Sequence, residues 1–227
     1  MDDRLREAAA LVPQGSIVAD IGTDHAYLPC WLVKSGRCPQ ALACDVASGP
    51  LSRARSVIQG QGLSHRVSLR LGDGLQALAP GEADVLILAG MGGRLICAIL
   101  ERGAAVLARV RRLILQPQRN PELVRQWLME HEWRIVAESL AQVGAQWYNI
   151  IAAQPGSMEL DPAELAYGPR LREEGAHRLR RPWLEFRLQG LLTLDRELAL
   201  RPEDGARQRR QELHSQIQLL HRLIDEV

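Results

Sequence analysis

Four short apolar runs in the first half of the chain each end in an acidic residue or a glycine. They cover residues 16–21, 41–45, 67–71 and 83–89, and each is followed by a turn and a helical or mixed stretch. Short runs without polar alternation, such as residues 16–21 and 85–88, are typical of strands buried on both faces of a parallel sheet. Because parallel strands end at the same edge of a sheet, this pattern predicts an α/β fold with its functional groups gathered at one edge.

The turn after the first strand is the most informative of these strand ends. Gly22 allows a tight turn there, and a helix is expected over residues 26–33. A strand, a glycine turn and a helix in this order direct backbone N–H groups toward a small ligand. Asp45 ends the second strand at roughly the separation that places a carboxylate on a nucleotide ribose. An ordinary strand-to-helix turn and a solvated Asp45 are the alternatives.

Two further junctions repeat the combination of glycine with a strand end. The third strand ends in Gly72-Asp73-Gly74, and the fourth ends in Gly90-Met91-Gly92-Gly93. Three glycines within four positions predict a flat or bulky group against the backbone, with a crowded turn filled by Met91 as the alternative. A fifth strand over residues 111–115 is expected to end in Gln116-Pro117.

The last two strands of this half are expected to form an antiparallel hairpin. They cover residues 133–142 and 146–153 and meet in a turn at Gly144. Five alternating strands and helices indicate an α/β, Rossmann-like sheet, and by fold-level analogy the terminal pair resembles the reversed last strand of class I methyltransferases rather than a dinucleotide dehydrogenase. An amphipathic helix over residues 5–11 is expected to cover the sheet or the mouth of the ligand site.

The composition changes after residue 155, where leucine, arginine and glutamate dominate. Helices are expected over residues 160–167, 182–200 and 206–226, and the last two carry apolar stripes at helical spacing. Joined by a turn at residues 202–205, they predict an α-helical hairpin with antiparallel coiled-coil character. The expected domains are therefore residues 1–155 and residues 156–227.

The composition of 46% hydrophobic residues excludes a disordered chain, and no apolar run is long enough to span a bilayer. A cytoplasmic protein without a membrane or metal partner is expected. Its four cysteines lack metal-site spacing and are interpreted as reduced thiols, mostly buried. The net charge of +1 does not by itself indicate a nucleic-acid partner, although arginines cluster near residues 109–112, 178–181 and 207–210. The sequence leaves the oligomeric state open, with a monomer favoured.

Several of these segments together resemble the signature segments of the TrmK family of tRNA adenine-N1 methyltransferases. They are Asp20-Ile21-Gly22-Thr23-Asp24-His25-Ala26-Tyr27-Leu28-Pro29, Gly49-Pro50, Ala89-Gly90-Met91-Gly92-Gly93 and Leu115-Gln116-Pro117. The resemblance covers most of residues 5–153. It implies an S-adenosylmethionine-binding domain followed by a helical coiled-coil domain, and methylation of N1 of the adenine at position 22, in the D-arm region of tRNA.

The resemblance also implies roles for particular residues. The cofactor-binding set is Asp20, Gly22 and Thr23 for the methionine part, Asp45 and Val46 for the ribose, Gly72, Asp73 and Gly74 for the adenine, and Ala89, Gly90 and Met91 beside them. The substrate-binding set is Gly92, Gly93, Gln116 and Pro117. The chain departs from the family pattern at Asp45, where glutamate is common, at Gln118, where asparagine is expected, and at Trp147-Tyr148-Asn149, where a Tyr-Glu pattern is usual. The last two departures alter the rim of the expected base pocket.

Methylation at N1 of adenine requires positioning more than a strong base, since that nitrogen carries a lone pair in the ring plane. Asp24 is the candidate catalytic carboxylate, because it could stabilise the cationic product ring or relay a proton. His25 and Tyr27 are candidates to orient the base or stack on it. The alternatives are a helix N-cap for Asp24, a supporting hydrogen bond for His25 and core packing for Tyr27.

Two other functions are compatible with parts of the pattern. A nicotinamide-dependent oxidoreductase would use the same Asp45, but the first turn lacks GxGxxG because Thr23-Asp24-His25 stands where glycines belong. A non-catalytic RNA-binding or assembly protein would keep the cofactor fold and work through its C-terminal helices. For an enzyme on tRNA, the helical domain and the arginine clusters are expected to grip the RNA backbone.

Overall fold

The computed structural model describes residues 1–171, 177–200 and 204–226. They divide into two compact units, Met1–Arg170 and Leu171–Val227. The strands are β1 (Val18–Ile21), β2 (Ala41–Asp45), β3 (Val67–Leu71), β4 (Val85–Gly92), β5 (Arg112–Arg119), β6 (Trp133–Val143) and β7 (Gln146–Pro155). The helices of the first unit are α1 (Asp3–Ala10), α2 (Tyr27–Lys34), α3 (Ser48–Gly60), α4 (Gly93–Glu101), α5 (Ala104–Leu107), α6 (Pro121–Glu130) and α7 (Pro162–Tyr167).

The seven strands form one sheet in the order β3-β2-β1-β4-β5-β7-β6. Strands β1 to β5 pair in parallel, whereas β7 runs antiparallel to both β5 and β6. The reversal follows from the tight turn at Gly144, whose φ of 60° is costly for other residues. A Rossmann-like sheet with a reversed strand inserted near one edge confirms the fold class that the sequence predicts for this unit.

Both faces of the sheet are buried along its central strands, which explains the unbroken apolar runs of β1 and β4. On β1, Ala19 and Ile21 belong to the core on one face, and Val18 belongs to the core on the other. Strand β4 divides in the same way, with Leu86 on the first face and Ile87 on the second. Helices cover both faces, so the carboxyl ends of the central strands provide the accessible edge.

Two strand boundaries differ from those expected, and the Gly49-Pro50 segment is helical, since α3 begins at Ser48. Strands β4 and β5 extend to Gly92 and Arg119, because they continue to pair through two register shifts after Ala89. As a result the glycine segment of β4 and the Gln116-Pro117 pair lie on strands instead of in turns.

The sheet unit extends further along the chain than residue 155. Met158 and Leu160 pack against the sheet core, and α7 follows with Asp161 as an N-cap that accepts from Glu164 N. The segment after β7 therefore completes the sheet unit, and the observed boundary after Arg170 corrects the one expected after residue 155.

A buried ion pair fastens this segment to the sheet. Arg125 on α6 is fully buried and donates from Nε to Glu138 Oε1 at 2.8 Å. Its other nitrogens donate to Leu165 O at 2.9 Å and to Asn149 Oδ1 at 3.1 Å. Glu138 Oε2 in turn accepts from the backbone N–H of Arg170 at 3.0 Å. One guanidinium and one carboxylate therefore hold α6, β6, β7 and α7 together.

The second unit is helical in the residues described. Its helices are α8 (Arg180–Ala199) and α9 (Asp204–Asp225). Apolar side chains of both helices are buried, and Asp195 on α8 accepts from Arg210 Nε on α9 at 2.9 Å. Two packed helices agree with the expected helical C-terminal part. Residues 202 and 203 of the expected turn lie outside the described residues, and residues 204 and 205 are not a turn but the start of α9.

The four cysteines, Cys30, Cys38, Cys44 and Cys97, are free thiols, three buried and Cys97 partly so, as expected. Burial raises the pKa of the Cys30 thiol to about 11, which keeps it protonated and unreactive at neutral pH. No helix in the described part of the chain is long and apolar enough to cross a bilayer.

Candidate functional site

The turn between β1 and α2 adopts an unusual backbone path. Gly22 has φ 76°, and Asp24 and Ala26 also have positive φ, 45° and 55°. Gly22 N and Thr23 N both donate to Cys44 O on β2, at 2.8 and 3.0 Å, which holds the turn across the sheet edge. Left-handed conformations cost energy for residues other than glycine and concentrate at functional sites. The turn is therefore a rigid, strained element at the accessible edge.

Asp20 is the buried carboxyl group at the base of this turn. Only 6% of the residue is exposed, and Thr23 Oγ1 donates to Asp20 Oδ2 at 2.7 Å. Burial raises the pKa of Asp20 from 3.8 to about 6; the Thr23 hydrogen bond and Arg4 oppose the rise, and the nearby Asp45 adds to it. A buried carboxylate without a direct cationic partner is stabilised by a positively charged ligand.

Asp24, His25 and Tyr27 lie at the surface above Asp20. The Asp24 carboxylate accepts from Arg53 Nη2 at 2.9 Å and lies 3.5 Å from His25 Nε2. The His25 and Tyr27 rings stack with centroids 5.2 Å apart, and Tyr27 is 51% exposed. The N-cap interpretation of Asp24 is wrong, because the N-cap of α2 is Ala26 and no side chain caps the helix. Core packing is likewise wrong for the exposed Tyr27.

These residues share a cavity of about 500 Å³, within the range of small-molecule sites. Of the residues predicted from the sequence, it is lined by Asp20, Gly22, Thr23, Asp24, His25, Tyr27, Ala89 and Gly90. Gln118, which was expected at the rim of the base pocket, also lines the cavity, and the lining residues not predicted from the sequence are Met1, Asp2, Arg4, Leu5 and Leu28. Helix α1 thus covers the ligand site, as its amphipathic pattern suggests, but nothing in that pattern distinguishes Arg4 as a site residue.

The other predicted cofactor residues lie at neighbouring strand ends, outside this lining. Asp45 is the last residue of β2, the strand next to β1, and its Oδ1 accepts from Ala47 N at 2.8 Å. The next residue, Val46, is 68% exposed. Asp73, which lies between Gly72 and Gly74 after β3, accepts from Arg102 Nη1 at 2.9 Å. The cavity therefore joins the first turn to the end of β4, and the acids of β2 and β3 continue the same edge.

Close contacts explain why the segment at the end of β4 is rich in glycine. A β-carbon at Gly22 would lie 2.3 Å from the methyl group of Met91, so Met91 packs directly on the first turn. A β-carbon at Gly93 would lie 2.4 Å from the carbonyl oxygen of Asn120, which brings the ends of β4 and β5 into backbone contact. Gly92 has no such neighbour. The crowded-turn interpretation of this segment therefore applies to Met91 and Gly93.

Gln116 and Pro117, the remaining predicted substrate residues, lie on β5 beside this segment. Gln116 is fully buried, and its Oε1 accepts from Arg4 Nη1 at 2.8 Å and from Gly90 N at 3.0 Å. Pro117 pairs with Met91 across the strands. Within the described residues, no group of three or more His, Cys, Asp or Glu side chains is arranged to hold a metal ion.

A glycine turn, a buried acid and a cavity at the carboxyl edge of a sheet with a reversed seventh strand define an α/β methyltransferase domain. A family model described as a methyltransferase domain matches residues 1–151. A curated relative from Bacillus subtilis, a tRNA (adenine(22)-N(1))-methyltransferase, is 32% identical over 99% of this chain and 97% of its own length. The chain belongs to this family, which confirms the resemblance found in the sequence.

Solved structures of related proteins superpose on 99% of this chain. A Streptococcus pneumoniae protein, represented by two crystal structures of which one is a complex with S-adenosyl-L-methionine, is 36% identical. The structures superpose with TM-scores of 0.91 and 0.87, covering 99% of both chains. The crystal structure of the B. subtilis m1A22 tRNA methyltransferase TrmK is 31% identical and gives a TM-score of 0.87, covering 99% of this chain and 98% of that one.

Cofactor binding is expected to depend on pH through Asp20. If the ionised carboxylate faces a cationic ligand, the association constant for S-adenosylmethionine should fall about tenfold per pH unit below about 6, as protons compete for the group. Calorimetric titrations between pH 5 and 8 measure this. An association constant that stays level from pH 7 to pH 5 would contradict it.

Without cofactor, the contribution of Asp20 to the stability of the folded protein should be largest at low pH, whereas its contribution to cofactor binding is largest at high pH. A carboxyl whose pKa is higher in the folded than in the unfolded chain favours folding at low pH, and this contribution is lost as the pH rises through about 6. Asp20→Asn should therefore weaken cofactor binding and yet unfold at a higher temperature than the wild type at pH 8. Loss of stability and binding together would indicate a purely structural role.

Proposed function

We propose that this protein transfers the methyl group of S-adenosylmethionine to N1 of the adenine at position 22 of tRNA. The observation that carries the proposal is the cavity at the ends of β1 and β4, with Asp20 at its base, in a chain of this methyltransferase family. The function of the B. subtilis relative supplies the substrate and the position.

The residues of the cavity suit the cofactor in charge and shape. S-adenosylmethionine carries an ammonium and a sulfonium group, and it supplies the reactive methyl group when bound. The buried Asp20 carboxylate offers a counter-charge, and the absence of a side chain at Gly22 lets a ligand approach the backbone. We assign Asp45 and Val46 to the ribose, and Gly72, Asp73 and Gly74 to the adenine end.

The protein's chemical task is to place the target nitrogen in line with the methyl group and to exclude water. We assign Asp24 to the cationic ring that forms on methylation, where a nearby carboxylate lowers the energy of developing positive charge. Arg53 and His25 hold the Asp24 carboxylate in place at 2.9 and 3.5 Å. The stacked and exposed Tyr27 offers a flat surface for a base that has left its stack.

The decisive test is methylation of tRNA by the purified protein with labelled S-adenosylmethionine. Nucleoside mass spectrometry should detect 1-methyladenosine, and a transcript with guanine at position 22 should accept no methyl group. Methyl transfer to another position or base would contradict the proposal. Failure to bind S-adenosylmethionine, together with binding of NAD, would instead support an oxidoreductase.

Asp24→Ala is expected to lower kcat by about 100-fold or more while changing cofactor affinity less than threefold, since the side chain is assigned to the reacting ring. Single-turnover methylation and calorimetry measure the two quantities. Glu130→Ala, which removes an exposed carboxylate on α6, is the matched control. Turnover that survives in the Asp24 variant would remove Asp24 from the mechanism.

We further propose that α8 and α9 form an antiparallel coiled-coil pair that contacts the tRNA backbone. Arg178 is exposed at the start of this unit, whereas Arg210 is already paired with Asp195, so only part of the arginine clusters is available for phosphates. The affinity for tRNA should fall at least about tenfold between 50 and 200 mM salt, because phosphate contacts release counterions. Filter binding measures it, and salt-independent affinity would contradict this role.

A further inference from the structure

The Arg4 side chain fills a slot where the ends of β4 and β5 meet α1. Its Nη1 donates to Gln116 Oε1 at 2.8 Å, and its guanidinium lies over the ring of Tyr148, 5.5 Å from the centroid. A β-carbon at Gly90 would lie 3.2 Å from Arg4 Nη1, so the slot also needs a glycine there. The slot is thus bounded by a buried amide, an aromatic ring and a bare backbone.

The orientation of the Gln116 amide is fixed by its neighbours. Both Arg4 Nη1 and Gly90 N are donors, so the atom that faces them has to be the oxygen. The other end of the amide, Nε2, is fully buried and has no hydrogen-bond partner. A guanidinium cannot supply one, since it carries donors only. Buried donors without an acceptor are costly, which indicates that a ligand supplies the acceptor.

On the Hoogsteen edge, adenine is the base that matches both ends of this amide. Its Hoogsteen edge places the N6 amine, a donor, beside N7, an acceptor, and a glutamine amide pairs with both atoms at once. Guanine presents two acceptors on the same edge, and pyrimidines have no N7. A flat base would also replace the flat guanidinium over the Tyr148 ring.

We propose that Gln116 reads the Hoogsteen edge of the target adenine, and that Arg4 is a placeholder which the base displaces. In the bound state the adenine N6 amine donates to Gln116 Oε1 in place of Arg4, and Gln116 Nε2 donates to adenine N7. Gly90 N keeps its hydrogen bond throughout, which holds the amide in orientation. Pairing on this edge leaves N1 free for methylation, and the inference rests on the proposed function.

The test removes the same hydrogen bond from either side. A tRNA with 7-deazaadenosine at position 22 lacks the N7 acceptor, and Gln116→Glu lacks the donor. Wild-type enzyme should methylate the modified tRNA with kcat/KM about tenfold or more below that for unmodified tRNA. Gln116→Glu should methylate both tRNAs slowly, with kcat/KM values that differ less than twofold. If the carboxylate prevents folding, Gln116→Met provides the same test and the same result is expected.

Gln59→Glu, an exposed position on α3, is the matched control and should keep the wild-type preference. Equal kcat/KM of wild type on both tRNAs, or a preference that persists in the Gln116 variants, would overturn the inference. Absence of 1-methyladenosine from unmodified tRNA would instead overturn the proposed function. A merely structural role of Gln116 would lower activity without removing the dependence on N7.

Arg4→Met tests the placeholder step. Since the base has to displace the guanidinium, the variant should lower KM for tRNA several-fold and keep the preference for unmodified adenine. A KM raised tenfold or more, with unchanged cofactor affinity, would mean that Arg4 contacts the bound RNA and would overturn this step.

Discussion

Replacing Arg125 by methionine is expected to lower the free energy of unfolding by about 3–5 kcal/mol, the largest stability effect of any single change considered for this protein. The substitution leaves the buried Glu138 carboxylate without its guanidinium, and it frees the carbonyl of Leu165 and the amide of Asn149. Differential scanning calorimetry at pH 7.5 should show a melting temperature lower by about 10 °C.

Two further variants separate the buried charge from the loss of volume. Arg55→Met removes an exposed arginine on α3 and should change the free energy of unfolding by less than about 0.5 kcal/mol. Arg125→Met combined with Glu138→Leu should be more stable than Arg125→Met alone, because it removes the unpaired charge. An Arg125 variant as stable as the Arg55 variant would show that this pair does not hold the segment.

Gly93→Ala is expected to lower the free energy of unfolding by about 3 kcal/mol. The same substitution is expected to abolish methylation. The new methyl group would lie 2.4 Å from Asn120 O and 3.0 Å from Arg119 O, and these backbone atoms can move only if the ends of β4 and β5 separate. The separation would displace the neighbouring rim of the site. Thermal unfolding and single-turnover methylation measure the two losses.

Gly92 provides an internal comparison one residue away. Its φ of −69° suits alanine, and no atom lies within 4 Å of the position a β-carbon would take. Gly92→Ala should therefore leave the melting temperature unchanged or raise it slightly. Equal destabilisation by both substitutions would show that close approach is not what requires glycine at position 93.

The sequence predicts the sheet well because each strand signal is local. The apolar run that becomes β1 ends in Asp20 and Gly22, an acid and glycines recur after β3, and glycines alone end the run of β4, so the strands and their common edge follow from pattern alone. The hairpin of β6 and β7 is marked by Gly144. These features depend on residues that are neighbours in the chain.

The composition of the cavity could not be predicted in the same way. Arg4 reaches Gln116 across 112 positions of sequence, and no local pattern distinguishes it from the other arginines. The ion pair of Arg125 and Glu138 is hidden for the same reason, since the two residues are 13 positions apart and no local pattern links them. Extended pairing of β4 with β5 also depends on register, which a single strand does not encode.

The position of β7 between β5 and β6 has a consequence for synthesis on the ribosome. Helix α1 is synthesised before the strands, yet its partners include Ser139 on β6, which Glu7 contacts, and Tyr148 on β7, over which Arg4 lies. Helix α1 must therefore wait for β6 and β7, and until then the edge of β5 stays unpaired. Chaperones that shield nascent chains should have the longest opportunity to act during this interval.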